Sequence, residues 1–415
     1  MERGNLKMLT NEEKRVVIYS SSENPTIPSE VTPDTPLESL NLNWTERDLP
    51  ERERTKHVHR LHPYLGKYIP QLVEIFLRRY FEPGQTILDP FVGSGTALVQ
   101  ANELGINSIG YDISEFNIIL CRAKTQEYDL KQARKEVMDI LEKVDSADKR
   151  EVSQLALWEK GGIYNASLSP EESEYLKQWF APQSLFELIS YKNLIADHYE
   201  YQDLLKVILS RSARSARLTT HFDLDFPKKP QTEPYWCYKH SRECSPTQDA
   251  LKFLRRYSID ALRRIEEFSS KRTSAKVMVE HGDSQTVNIP KIDGVITSPP
   301  YVGLIDYHEQ HRYAYELLGL HDRQSDEIGA AKRGSSEKAK KNYQESIAAV
   351  FRNALKSMQS GNYLIVVAGD KHDLYSGIAD LCDVQVESII RRHVNRRTGR
   401  RSTEFYEDVF VWRKK

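Results

Sequence analysis

Ser298-Pro-Pro-Tyr301 follows the apolar run Asp293–Thr297. Neither proline donates a backbone hydrogen bond, so a strand must stop there. A hydroxyl, two stiff prolines and an aromatic ring at a strand end suit a rigid rim for a flat, polar substrate. The competing reading is a turn that only leaves the sheet. A second chemical stretch is Asp89-Pro-Phe-Val-Gly-Ser-Gly-Thr96, and a third is Asp112, closing the apolar run from Ser108.

The glycine-rich turn admits three readings. A phosphate-binding loop needs a lysine after its glycines, and Thr96 follows Gly95 directly. A dinucleotide fingerprint needs a third glycine near the helix start, where Leu98 stands. An S-adenosylmethionine site fits better. The glycines allow close backbone approach, the helix N-terminus favours a carboxylate, and Asp112 is placed to accept from ribose hydroxyls. A turn that merely packs helix on strand remains the alternative.

Taken together, Phe91-Val-Gly-Ser-Gly95, the acid in Gly110-Tyr-Asp-Ile-Ser114 and Ser298-Pro-Pro-Tyr301 resemble the amino-group DNA methyltransferases, the N4-cytosine and N6-adenine enzymes. The resemblance runs from about His57 to Lys415, apart from a helical insertion. It implies S-adenosylmethionine as cofactor and double-stranded DNA, with base flipping, as substrate. It also implies a role in restriction–modification beside a separate endonuclease. Ser298, Pro299, Pro300 and Tyr301 would be catalytic. The cofactor would meet Lys67 and Pro70 at its methionine end, then Asp89, Pro90, Phe91, Gly93, Ser94, Gly95 and Thr96 at the turn. Asp112 and Ile113 would follow, with Asp283 and Ser284 at the adenine. Serine at the first catalytic position points to cytosine N4, with adenine N6 or an RNA amine as alternatives and a decayed DNA-binding module least favoured. Carbon methylation of cytosine uses a cysteine commonly preceded by proline, whereas Cys121, Cys237, Cys244 and Cys382 follow Leu, Trp, Glu and Leu. One departure from the family order is that the long insertion precedes Asp283.

The elements that must hold these residues read as an α/β chain. Apolar runs predict strands at 86–91, 108–113, 276–281, 293–297, 363–368, 384–390 and 408–412, with helices at 70–80 and after the glycine turn. That pattern is a mostly parallel sheet of seven strands ending in an antiparallel hairpin, and the resemblance implies the Rossmann-like class I methyltransferase fold for it. Residues 1–55 read as a loosely packed polar arm, and 56–125 with 275–415 as the catalytic domain. Residues 126–274 read as a helical insertion and candidate target-recognition region.

Composition excludes other classes. With 39% hydrophobic and 29% charged residues, 415 residues describe an ordinary folded chain, and no window nears the roughly 18 apolar residues of a membrane span. MERGNLKMLTNEEKR lacks the apolar core of a secretory signal, and four cysteines make no disulfide framework, so a reducing cytoplasm is the expected location. Net charge is only −1, so polyanion contacts must come from local patches. The candidates are Arg211, Arg214, Arg217, Trp236, Tyr307, Arg312, Arg396, Arg397, Arg400 and Arg401. Cys237, His240 and Cys244 have metal-like spacing with His221 as a conceivable fourth ligand, but ordinary packing is the expectation and no metal is assigned.

Overall fold

The structure, a computed structural model, describes residues 17–19, 24–155, 173–195, 199–303, 306–330, 334, 336–394 and 405–415, with backbone only for 19 and 147–155. Its strands are β1 (Val17–Tyr19), β2 (Thr86–Asp89), β3 (Asn107–Asp112), β4 (Tyr235–Cys237), β5 (Arg242–Cys244), β6 (Val277–His281), β7 (Gly294–Thr297), β8 (Tyr363–Ala368), β9 (Val384–His393) and β10 (Tyr406–Lys414). Eight form one sheet in the order β1-β9-β10-β8-β7-β2-β3-β6. Only β10 runs against its neighbours, β8 and β9. All seven expected strands are present, and β1 is an addition.

Parallel strands covered on both faces read as continuous apolar runs. In β8, Leu364, Val366 and Ala368 join one core, while Ile365 and Val367 join the core on the opposite face. Likewise β10 divides Phe410 and Trp412 from Val409 and Val411. The helix Pro70–Tyr80 lays Leu72, Ile75 and Phe76 on the second of these cores, and Glu337–Lys356 lays Ile347 and Phe351 on the first.

The expectation of a loose arm over residues 1–55 is corrected where the chain is described. Val31, Leu40, Leu42, Trp44 and Leu49 are buried in the sheet core, and β1 pairs in parallel with β9, Ile18 opposite Ile390. Their scatter among Ser, Pro, Thr and Glu hid them in the sequence. Pairing with β1 also covers a sheet edge that β9 would otherwise expose.

Helices from residues 126–274 share a core with the sheet domain. Val58, Leu61, Val99, Phe116 and Leu120 sit in one cluster with Leu204, Leu205, Ile208, Leu254 and Ile265. The helices Gln202–Ala216 and Leu251–Ser269 therefore buttress the sheet domain.

At the glycine turn, Gly95 takes φ +76 and caps the helix Thr96–Glu103, where a Cβ would lie 3.0 Å from Cys121 Sγ. A left-handed non-glycine residue costs about 1–2 kcal/mol, and overpacking adds about 1–3. Gly95→Ala is expected to lower unfolding free energy by about 2–4 kcal/mol in urea melts; a loss under about 1 kcal/mol would mean that the turn relaxes freely.

Candidate active site

The carboxyl ends of β2, β3, β6 and β7 lie side by side, paired as Asp89↔Gly110, Asp112↔His281 and Leu88↔Val295. In open parallel sheets that edge is where ligands bind. A cleft of about 890 Å³ opens there, lined by Gly93 and Ser94 from the turn, Thr96 at the helix start, Asp112 at the end of β3, Asp283 after β6, and Ser298 and Pro300 after β7. The glycine turn and the serine–proline corner thus share one cavity.

The turn is held from beneath. Cys121 Sγ donates to Gly93 O at 3.2 Å, and the fully buried Lys124 donates Nζ to Ser94 O at 2.6 Å. Gly93 N donates to Asp112 Oδ2 at 2.9 Å, and Ser114 N to Asp112 Oδ1 at 2.8 Å. Burial raises the Asp112 carboxyl above its ordinary range, while those amides pull it back. Ser284 Oγ donates to Pro90 O at 2.7 Å, tying the loop after β6 to the turn. Lys67 also lines the cleft, donates to His59 O at 2.8 Å, and is brought down to about 8 by burial.

Of the expected cofactor residues, Lys67, Pro90, Phe91, Gly93, Ser94, Thr96, Asp112, Ile113, Asp283 and Ser284 line the cleft. Pro70, Asp89 and Gly95 do not. Pro70 begins a helix and is buried, and Gly95 packs on Cys121. Asp89 is wholly buried, where Oδ1 accepts from Thr297 Oγ1 at 2.6 Å and Phe91 N at 3.2 Å, and Oδ2 from Tyr68 at 3.1 Å. It is a strut between β2 and β7.

Burial pushes Asp89 up to about 7 despite those donors. Burial thus favours the neutral form, while the three donors favour the carboxylate. The stabilisation is whole below the ordinary carboxylate value of about 4 and is lost as pH rises through about 7. In Asp89→Asn no charge can form, so the decline in urea midpoint from about pH 4 to 8 is expected to flatten. Parallel pH curves for the two proteins would contradict this assignment.

At the corner, Ser298 Oγ is buried with no partner and borders the cleft. Tyr343 donates to Pro300 O at 2.9 Å and bonds Tyr375 at 2.8 Å, fixing the corner from behind. Tyr301, expected to stack on a base, needs correction: it is 8% exposed, lies against Phe405, and donates its hydroxyl to Glu407 at 2.9 Å. Glu407 is itself held by Arg392. Tyr301 therefore anchors the corner to the β9–β10 hairpin. Aromatic walls come instead from Tyr307 and from Tyr64, which sequence reasoning missed; their rings stack at 5.9 Å.

Sequence reasoning also missed Glu327, the partner of His308. Arg323 N donates to His308 Nε2 at 3.2 Å, so Nδ1 carries the proton and donates to Glu327 Oε1. Glu327 Oε2 is buried without a partner beside the cleft. Asp112, Asp283, Asp326 and Glu327 thus line the cavity together with one lysine, Asp326 being paired with Arg323. That field suits a ligand rich in positive charge and hydrogen-bond donors, with a single carboxylate for Lys67.

The expected nucleic-acid residues are dispersed. Arg211 pairs with Asp260 at 2.7 Å and lies over Tyr257, and Arg214 pairs with Asp225. Arg217 is 4% exposed, donates to Leu224 O at 2.8 Å and covers the Tyr313 ring, so it cannot reach a phosphate. These three are internal struts. Arg312 pairs with Glu316 at 3.1 Å, half exposed, and Trp236 is 57% exposed. Arg396, Arg397, Arg400 and Arg401 lie outside the described residues.

Residues 6–122 match a family model for N6/N4 amino methyltransferases described as DNA methylase. The chain is 39% identical over 430 residues to the Type II methyltransferase M.MjaII of Methanocaldococcus jannaschii, covering 87% of this chain and 81% of that protein. It is 25% identical to the Type II methyltransferase M.BsoBI of Geobacillus stearothermophilus, covering 68% of this chain and 56% of that protein. Among solved structures, TrmN from Thermus thermophilus aligns at 11% identity with TM-score 0.33, covering 84% of this chain and 50% of that one. So loose an overlap adds nothing to the topology.

Proposed function

The chain belongs to the family of amino-group (N6/N4) DNA methylases, and from that premise we propose that it methylates the N4 amine of cytosine at a specific site in duplex DNA, as the modification partner of a separate restriction endonuclease. The observation that carries the proposal is the cleft shared by Gly93 and Ser298. S-adenosylmethionine fits the residues present: Asp112, Asp283 and Glu327 for its cationic and hydroxyl groups, one lysine for its carboxylate, and unpartnered acceptors at Ser298 Oγ and Glu327 Oε2. When bound, it supplies an electrophilic methyl group on sulfur.

The residues of the chain do the rest. An exocyclic amine is a weak nucleophile because its lone pair is delocalised into the ring. Ser298 Oγ and the Pro299 carbonyl accept its two hydrogens, favouring a pyramidal nitrogen. The two prolines keep those acceptors fixed before substrate arrives. Asp112 holds ribose hydroxyls, Asp283 the adenine amine and Lys67 the methionine carboxylate. Tyr307 offers a ring for the extruded base, whose flipping costs a few kcal/mol. DNA contacts are assigned to the insertion surface around Trp236 and to Arg312.

Serine ahead of the two prolines supports cytosine over adenine. Incubation with methyl-labelled cofactor and duplex DNA, then digestion to nucleosides, is expected to yield N4-methylcytosine. N6-methyladenine would move the assignment to the other amine, and label confined to RNA would overturn it.

A further inference from the structure

Between Thr220 and Ser245, Cys237 is the only buried residue. Phe222, Phe226, Trp236 and Tyr238 are all exposed. A ribbon of two three-residue strands, β4 and β5, stands in this stretch without an apolar core. Such a hairpin is marginal in water unless something staples it.

The staple is visible in the side chains. Tyr235 pairs with Cys244 and Cys237 with Arg242, so strand alternation sets Cys237 and Cys244 on one face of the ribbon. The connecting turn returns His240 toward them: His240 N donates to Cys237 O at 3.1 Å, and Ser241 takes φ +50. His221 arrives from the preceding loop, its backbone N–H bonded to the Tyr235 hydroxyl at 3.2 Å. His221 Nδ1 lies 3.4 Å from Cys237 Sγ, His240 Nδ1 lies 3.4 Å from Cys244 Sγ, and the two imidazoles are 4.6 Å apart. All four ligand atoms fall within 4.8 Å of one another.

We propose that His221, Cys237, His240 and Cys244 form a structural zinc site that staples residues 220–245 within the insertion. This revises the expectation of ordinary packing and no metal. Tetrahedral zinc with Zn–S near 2.3 Å and Zn–N near 2.0–2.1 Å separates its nitrogen and sulfur ligands by about 3.5 Å, close to the two distances above. Thiol–imidazole hydrogen bonds account for each pair alone. They do not account for two pairs converging, with all four ligand atoms within 4.8 Å, around the one buried residue of a segment that has no apolar core. Four protein ligands close the coordination shell, so the ion supplies folding energy rather than Lewis-acid chemistry. The site lies apart from the methyl-transfer cleft, whose lining includes none of the four residues. Its test is therefore independent of the proposed activity.

The full chain, purified without a histidine tag from zinc-supplemented cells, is expected to hold about one zinc by elemental analysis. Cobalt exchanged into it should give the strong visible bands of a tetrahedral thiolate site. Cys237→Ser and Cys244→Ser should each lose the metal, and chelation of the parent should open residues 220–245 to proteolysis while the sheet domain stays intact. Should either variant fail to fold, the parent's zinc content and cobalt spectrum decide alone. A folded parent with well under about 0.1 zinc per chain after zinc supplementation, or an octahedral cobalt spectrum, would overturn the site.

Discussion

Ser298→Ala is expected to lower the single-turnover rate of methyl transfer by about 10²–10³-fold. The same substitution should change cofactor affinity by less than about threefold, because binding energy realised only at the transition state appears in the rate. The physical reason is the state of Ser298 Oγ, buried at the cleft with every hydrogen-bonding site free. An acceptor left unpaired inside protein is costly unless a substrate completes it. Pro300 behind it is fixed by Tyr343, so the acceptor needs no reorganisation when the amine arrives. Rapid-quench measurement of label transfer into DNA, paired with calorimetric titration of the cofactor, separates the two effects. A full wild-type rate in Ser298→Ala would remove the corner from the chemistry.

Gly93→Asp is expected to weaken cofactor binding by more than about 100-fold, roughly 2.7 kcal/mol. Gly93 takes φ +47, a conformation costing most side chains about 1–2 kcal/mol. A Cβ there would lie 3.2 Å from the Tyr64 hydroxyl, inside the cleft, and the added carboxylate would crowd Asp112, which accepts from Gly93 N at 2.9 Å. Gly93→Ala carries the same backbone strain without the added charge, so its loss should be smaller. Thermal melts of both variants establish whether the fold persists. A folded Gly93→Asp protein that binds the cofactor normally would place the cofactor elsewhere.

These outcomes rest on features of unequal legibility. The strands could be read because a parallel strand covered on both faces must be apolar along its length, a condition written in consecutive residues such as Tyr363–Ala368. The glycine turn and the serine–proline corner were legible for a similar reason, since each is a backbone requirement met within a few positions. Arg211, Arg214 and Arg217 misled because charge spacing does not reveal whether a partner waits across the fold; Asp260 and Asp225 do. Tyr301 misled in the same way, its hydroxyl engaged by Glu407 more than a hundred positions later.

By itself, then, the sequence determined seven of the ten strands among the described residues, the order of the chemical motifs and the ends of the strands on which they fall, because local sterics and hydrophobic period act over a few residues. Tertiary structure alone decided that β1 closes the sheet beyond β9, that Asp89 is a strut where Asp112 is a lining group, that His308 and Glu327 enter the cleft, and that two histidines meet two cysteines on a bare ribbon. The pairings of β1 with β9 and of Asp89 with Thr297 join residues hundreds of positions apart, and the other two bring together groups from separate short elements; in both cases loop closure and competition for burial choose the partner.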